Sequence, residues 1–260
     1  MAGKKRPQGN IETIFQLLTY GKSVERRQQL AKNLTEIHQR IEDAAKRAGR
    51  SPTEIQLIGV TKYVDAETTW DLIDAGSKVL GENRPQVFRD KQEKLSDLDV
   101  QWHLIGHLQR NKIKHVLPHV SLIHSVDSLR LIEALEEFAS KTETPVNILL
   151  EVNISGEDAK HGFSETDIVP ALDWVAKSKW LSAQGMMGMS RWGGTADEAK
   201  REFESLRRLQ ELLAPKFNGS RVQLEQLSMG MTGDFETAIA AGSTMVRIGS
   251  ALFEGVNDGT

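Results

Sequence analysis

Lys62 is the residue in this chain best suited to covalent chemistry. It closes the apolar run Ile55-Gln-Leu-Ile-Gly-Val-Thr-Lys62, which has strand length and β-branched residues at Ile55, Ile58, Val60 and Thr61. A desolvated lysine amine tends toward its neutral form, which attacks carbonyls to give a Schiff base. The segment Asp65–Ala75 reads as a helix, capped by Asp65 and stopped by Gly76, so Lys62 stands where a strand hands over to a helix. In α/β proteins ligands bind at that edge. The competing reading is a lysine with a buried stem and a solvated amine.

The elements around Lys62 narrow the choice. Strand patterns occur at 55–61, 79–81, 101–105, 122–124, 147–153, 183–187, 223–228 and 245–248. Helical patterns follow them at 65–75, 86–95, 110–115, 128–140, 166–177, 196–213 and 234–241, and a short turn follows Ser250. The spacing of roughly 25 residues per strand–helix unit predicts a single-domain (β/α)8 TIM barrel. No Gly-x-Gly-x-x-Gly or Walker motif supports an open nucleotide-binding sheet. Ahead of the barrel, residues 1–10 read as a disordered basic tail and Ile11–Tyr20 as a short helix broken by Gly21. A long helix covers Ser23 to Gly49, with Leu30, Leu34, Ile37, Ile41 and Ala44 on one stripe. The expected division is an extension over 1–22 and the barrel domain over 23–260.

Barrel chemistry sits at the C-terminal ends of the strands, and phosphate sites often form after strands seven and eight. There the sequence offers Ser228-Met-Gly-Met231 and Arg247-Ile-Gly-Ser250. Glycines admit backbone N–H groups to an anion and serine hydroxyls add donors. A strand-one lysine together with a phosphate cradle meets the requirements of pyridoxal 5'-phosphate. Arg247, on the face it shares with Met245, would meet the pyridine nitrogen. A permanent cation there disfavours ring protonation and weakens the ring as an electron sink. The plainer role for Arg247 is an ion pair at a strand end.

At these residues the chain resembles the pyridoxal phosphate homeostasis family, related to the N-terminal barrel of alanine racemase. The resemblance runs through Gly59-Val-Thr-Lys62, Leu80-Gly-Glu-Asn83, Trp102-His-Leu-Ile-Gly-His-Leu-Gln109 with Asn111-Lys112, and His124-Ser-Val-Asp127. It continues through Val152-Asn-Ile-Ser155, Lys160-His-Gly162, Leu227-Ser-Met-Gly-Met231 and Ala240 to Ser250, nearly the whole chain. It implies pyridoxal phosphate held as an aldimine on Lys62, with Arg247 at the ring nitrogen. Ser228, Gly249 and Ser250 would surround the phosphate, and Asn83 and His103 would line the ring pocket. The expected role is vitamin B6 homeostasis by a cytoplasmic monomer that passes the cofactor to apo-enzymes or exchanges it with the free pool, since a ring facing Arg247 with no second base suits carriage better than turnover. Two features depart from the family: residues 1–22 precede its usual start, and Tyr63-Val-Asp65 follows Lys62 where many members carry a proline nearby.

Composition excludes several classes. With 33 basic and 36 acidic residues the net charge is −3, which supports neither nucleic acid nor an anionic membrane as partner. There are no cysteines, so disulfides, thiolate metal sites and cysteine nucleophiles are out. No stretch has the length of a membrane span or the apolar core of a signal peptide. Five of the seven histidines fall between His103 and His124. His103 and His107 have the spacing of a helical metal pair but lie on a strand and its turn, so no metal site is expected.

Two further readings stay open. One is a pyridoxal-phosphate racemase or lyase, which needs a base on each face of the cofactor. Lys62 would serve one face, but the tyrosines are only Tyr20 and Tyr63. Along an extended strand Tyr63 would point away from Lys62. The other is a barrel enzyme for a different phosphorylated carbonyl compound.

Overall fold

The structure is a computed structural model that describes residues 11–157 and 161–256, with side chains from residue 23 onward. Eight parallel strands close into a barrel in sequence order, β1 (Gln56–Val60), β2 (Val79–Glu82), β3 (Gln101–Leu104), β4 (Leu122–Val126), β5 (Val146–Glu151), β6 (Leu181–Met187), β7 (Val222–Ser228) and β8 (Met245–Ile248). The last strand pairs with the first through Gln56–Met245 to Gly59–Ile248, which leaves no sheet edge. The predicted strand series is reproduced to within two residues at each end.

Helix α1 (Ile11–Arg47) precedes β1 and runs straight through Gly21, where the sequence predicts a break. One glycine inside a long helix costs only about 1 kcal/mol relative to alanine. The basic tail expected over 1–10 lies outside the described residues. The seven helices that follow strands are α2 (Ala66–Asp74), α3 (Pro85–Lys94), α4 (Ile113–Val116), α5 (Leu129–Thr142), α6 (Ile168–Ala176), α7 (Ala196–Leu213) and α8 (Phe235–Ala240).

After β8 the chain forms only a turn, and α1 packs between α8 and α2 in the place an eighth helix would take. Its buried stripe of Leu30, Leu34, Ile37, Ile41 and Ala45 joins the shell between barrel and helices. Asn33 pins the C-terminal turn by donating to the carbonyls of Leu252 at 2.9 Å and Glu254 at 2.8 Å. Arg26 clamps α1 to the buried carboxylate of Asp71 on α2.

The barrel interior is a second, smaller apolar core of Ile58, Val79, Leu122, Leu149, Met187 and Met245. Side chains two residues further along each strand face the same interior but one layer higher. In that upper layer stand Val60, Gly81, His124, Glu151 and Arg247. The barrel is thus oily below and polar at its C-terminal mouth, so the strand repeat itself builds the site.

Candidate functional site

Lys62 lies two residues beyond β1, half-buried, in the turn that leads to α2. It follows the last paired residue of β1 at the C-terminal end of the barrel. Its backbone is held from two sides. Arg84 donates to the Lys62 carbonyl at 2.7 Å, and the buried ammonium of Lys91 donates to the carbonyl of Thr61. Lys91 also pairs with the fully buried Glu82 at 2.8 Å, and Glu82 accepts from the Asn83 amide at 2.9 Å. Burial holds the Lys91 ammonium below its ordinary value, opposed by the Glu82 charge. This pair ties the ends of β1 and β2 together beneath Lys62. The sequence reading missed Lys91, because nothing in the surface-like run Arg89-Asp-Lys-Gln-Glu marks one of its charges as buried.

Tyr63 does not point away from Lys62. The two share a turn rather than an extended strand, and the lysine Nζ lies 4.9 Å from the Tyr63 ring centroid. The ring is 82% exposed.

On the adjoining strand β8, Arg247 is buried to 4% exposure and, among the described residues, hydrogen-bonds only to neutral acceptors. It donates to the Ser228 carbonyl at 2.7 Å, to Ser228 Oγ, and to the Gly188 carbonyl at 3.1 Å. Burial pushes it down to about 10, so it stays charged at neutral pH. Among the described residues it makes no ion pair, so the ion-pair role weighed from the sequence is absent there.

The Ser228 hydroxyl, expected on a phosphate, lies inside the barrel instead. It is 2.9 Å from His124 Nδ1, and His124 Nε2 is 2.9 Å from His103 Nδ1. With Ser228 Oγ accepting from Arg247, the buried chain is fully satisfied if the hydroxyl donates to His124 and His124 donates to His103. Both imidazoles are neutral: burial pushes His103 down to about 4, and burial reinforced by His103 and Arg247 holds His124 well below its usual range. His103 therefore belongs with this buried chain, and His107 stands apart from it on the rim.

Asn83 lies at the mouth with its buried Oδ1 lacking a hydrogen-bond partner. Gly106 lets the following loop press against it, since a Cβ there would stand 2.3 Å from the Asn83 carbonyl oxygen. In the loop after β7, Gly230 takes φ +87°, and a Cβ would meet Phe235 Cα at 2.8 Å, so only glycine serves. After β8, Gly249 and the exposed Ser250 open a turn in which the amides of Ser250 and Ala251 make no hydrogen bond among the described residues.

Glu151, at the end of β5, faces the same interior. Burial, helped by the neighbouring Asp127 charge, raises its carboxyl to about 7. A carboxyl raised on folding keeps its proton in the native state after the unfolded chain has lost it. This group's contribution is therefore complete below the unfolded value of about 4.3 and is lost as pH climbs through about 7. The gap corresponds to on the order of 3 kcal/mol. Glu151→Gln is expected to match the parent in urea unfolding near pH 4 and to exceed it at pH 8 by about that amount. A stability difference independent of pH would count against the assignment.

A groove of about 1060 Å3 lies beside this mouth rather than over it, between α4 and α5, with Arg110, Lys114, Arg130 and Lys141 on its walls.

Comparison with known proteins places the chain in a family. The sequence profile of "Alanine racemase, N-terminal domain" matches residues 26–256. The Pyridoxal phosphate homeostasis protein of Aquifex aeolicus is 37% identical over 220 residues, 85% of this chain and 95% of that protein. This chain belongs to the pyridoxal phosphate homeostasis family. The Escherichia coli protein of the same name is also 37% identical, over 86% of this chain and 95% of its own length. The solved structure of PipY from Synechococcus elongatus with PLP bound superposes with a TM-score of 0.75 at 31% identity, covering 86% of this chain and 99% of that one. The family's extent explains the barrel boundaries, because the match begins inside α1 and ends in the turn after β8. No helix among the described residues is long and apolar enough to cross a membrane.

Proposed function

We propose that the barrel mouth binds pyridoxal 5'-phosphate covalently on Lys62 and that the protein stores and delivers this cofactor, serving vitamin B6 homeostasis without useful turnover. The observation that carries the reading is Arg247: a buried guanidinium that hydrogen-bonds only to neutral acceptors among the described residues, on the strand paired with the one that leads to Lys62. Its nearest opposite charges, Asp234 and Glu151, act on it without a direct ion pair, so a buried cation here favours an acceptor or an anion in contact with it. The orphaned Asn83 Oδ1 and the free amides after Gly249 fit the same occupant.

Bound pyridoxal phosphate supplies an aldehyde for amines and a ring able to withdraw electrons when its nitrogen is protonated. Arg247 is a donor without acceptor capacity, so it suits an unprotonated ring nitrogen and opposes protonation there. The Ser228–His124–His103 chain holds Arg247 in place while remaining neutral. Gly249 and Ser250 present backbone donors to the phosphate. Ser228 is left to orient Arg247 and adds to the phosphate site only through the loop it starts. Asn83 and His103 border the ring side of the mouth.

The racemase reading requires a second base opposite Lys62. The exposed Tyr63, stacked on Lys62 itself, is badly placed for that task. Cytoplasmic residence as a monomer, with apo-enzymes as recipients, completes the proposal.

The test uses the purified protein. A visible absorbance band that borohydride bleaches is expected, with transfer of the cofactor to an added apo-enzyme. Incubation with L-alanine should yield neither D-alanine nor a keto acid at enzymatic rates. Turnover of about 1 s⁻¹ or faster would promote the racemase reading, and a colourless protein would remove pyridoxal phosphate altogether.

A further inference from the structure

Three loops on one side of the mouth bring together side chains that the cofactor reading leaves unused. His107 follows β3, Asp127 follows β4 and His161 follows β5. The His107 Nδ1 lies 2.9 Å from Asp127 Oδ2, and the His161 Nδ1 lies 3.7 Å from the same oxygen. The two imidazoles stack with centroids 4.6 Å apart and planes 22° from parallel. One ligand atom from each of the three residues lies within 4.8 Å of the others.

We propose that His107, Asp127 and His161 form a binding site for a divalent transition-metal cation of the zinc class, contrary to the expectation of no metal from sequence. Zinc with bonds of about 2.0–2.1 Å to nitrogen and oxygen holds tetrahedral ligand atoms roughly 3.3–3.4 Å apart. The observed 2.9 and 3.7 Å bracket that separation, and closure requires the two exposed imidazoles to rotate out of their stack so that both ring nitrogens face the cation. Two nitrogens and one carboxylate oxygen select zinc, nickel or cobalt over magnesium or calcium, which demand oxygen ligands. An ion pair of Asp127 with one histidine accounts for one contact but not for two.

The site also has an entry path. Asp127 is 8% exposed and fixes the base, while His107 at 48% and His161 at 65% open to solvent. Three protein ligands leave a position for water or an incoming ligand atom, as in open zinc sites. A bound cation would tie three successive loops together along one side of the mouth. This inference is independent of the pyridoxal phosphate reading.

The experiment is calorimetric titration of the full chain, free of any affinity tag, with zinc chloride and separately with magnesium chloride. The protein is first stripped of pyridoxal phosphate, which itself chelates metals. One zinc per chain with micromolar affinity is expected, with no magnesium binding. His107→Ala and His161→Ala should each weaken zinc at least tenfold. Both positions are exposed enough for the fold to survive, which circular dichroism checks. Cobalt should give a visible tetrahedral band in the parent that both variants lose. Failure of the parent to bind zinc at 100-fold higher concentration, or zinc binding within twofold of the parent in the double variant, would overturn the site.

Discussion

Lys62→Ala is expected to abolish covalent retention of pyridoxal phosphate while leaving the barrel folded. Lys62 makes no side-chain ion pair among the described residues and sits in a half-exposed turn, so its removal opens no core cavity. Surface-like truncations of this kind generally alter stability by less than about 0.5 kcal/mol. Retention is another matter, because the ammonium of the neighbouring Lys91 is committed to Glu82 and the Thr61 carbonyl. Borohydride reduction of the loaded parent followed by peptide mass analysis should place the adduct on Lys62. In the variant the visible band and the adduct should both vanish, with an unchanged circular dichroism spectrum. A retained adduct on another lysine would sink the assignment.

The largest loss of stability is expected from Lys91→Met. The substitution keeps the stem's packing but strands the Glu82 carboxylate, whose side chain is fully buried. Breaking a buried pair by removing one partner costs about 3–5 kcal/mol, because the remaining charge is desolvated without compensation. Glu82 would keep its hydrogen bond from the Asn83 amide, which softens the loss without offsetting it. The double variant Lys91→Met with Glu82→Gln removes both charges and should recover most of the stability. Urea unfolding of the single and double variants measures this directly. Equal destabilisation in both would show that the ammonium acts through the Thr61 carbonyl and not through Glu82. Since that carbonyl directly precedes Lys62, the single variant should also hold pyridoxal phosphate more weakly.

Much of the site is legible in the sequence because a strand repeats every two residues. Once Met245 is known to face inward, Arg247 must lie on the same side of the sheet, and Lys62 is placed by the end of the β1 run rather than by alternation. The positions of Asn83, His103, Gly249 and Ser250 follow from strand ends, which apolar runs and glycines mark clearly. The same logic does not reach the partners of the Ser228 hydroxyl. Strand alternation does send it inward, but only the closed barrel shows that His124 and Arg247 already wait there. Tyr63 was misread because alternation stops at Val60, where the strand ends and a turn begins.

The sequence by itself therefore determined the eight-stranded order and the residues at the strand ends, Lys62 among them. These follow from local periodicity and from motifs only a few residues long. Tertiary structure alone decided which charges are buried and which loops meet. Lys91 looks like any helix-surface lysine until α3 packs it over Glu82. His107, Asp127 and His161 belong to three separate loops, and no spacing along the chain encodes their approach. The passage of α1 through Gly21 is of the same kind, since a glycine's modest local preference yields to the helix continuing on either side. Contacts of this sort arise when barrel closure sets the distances between loops, a global constraint that no short window of residues contains.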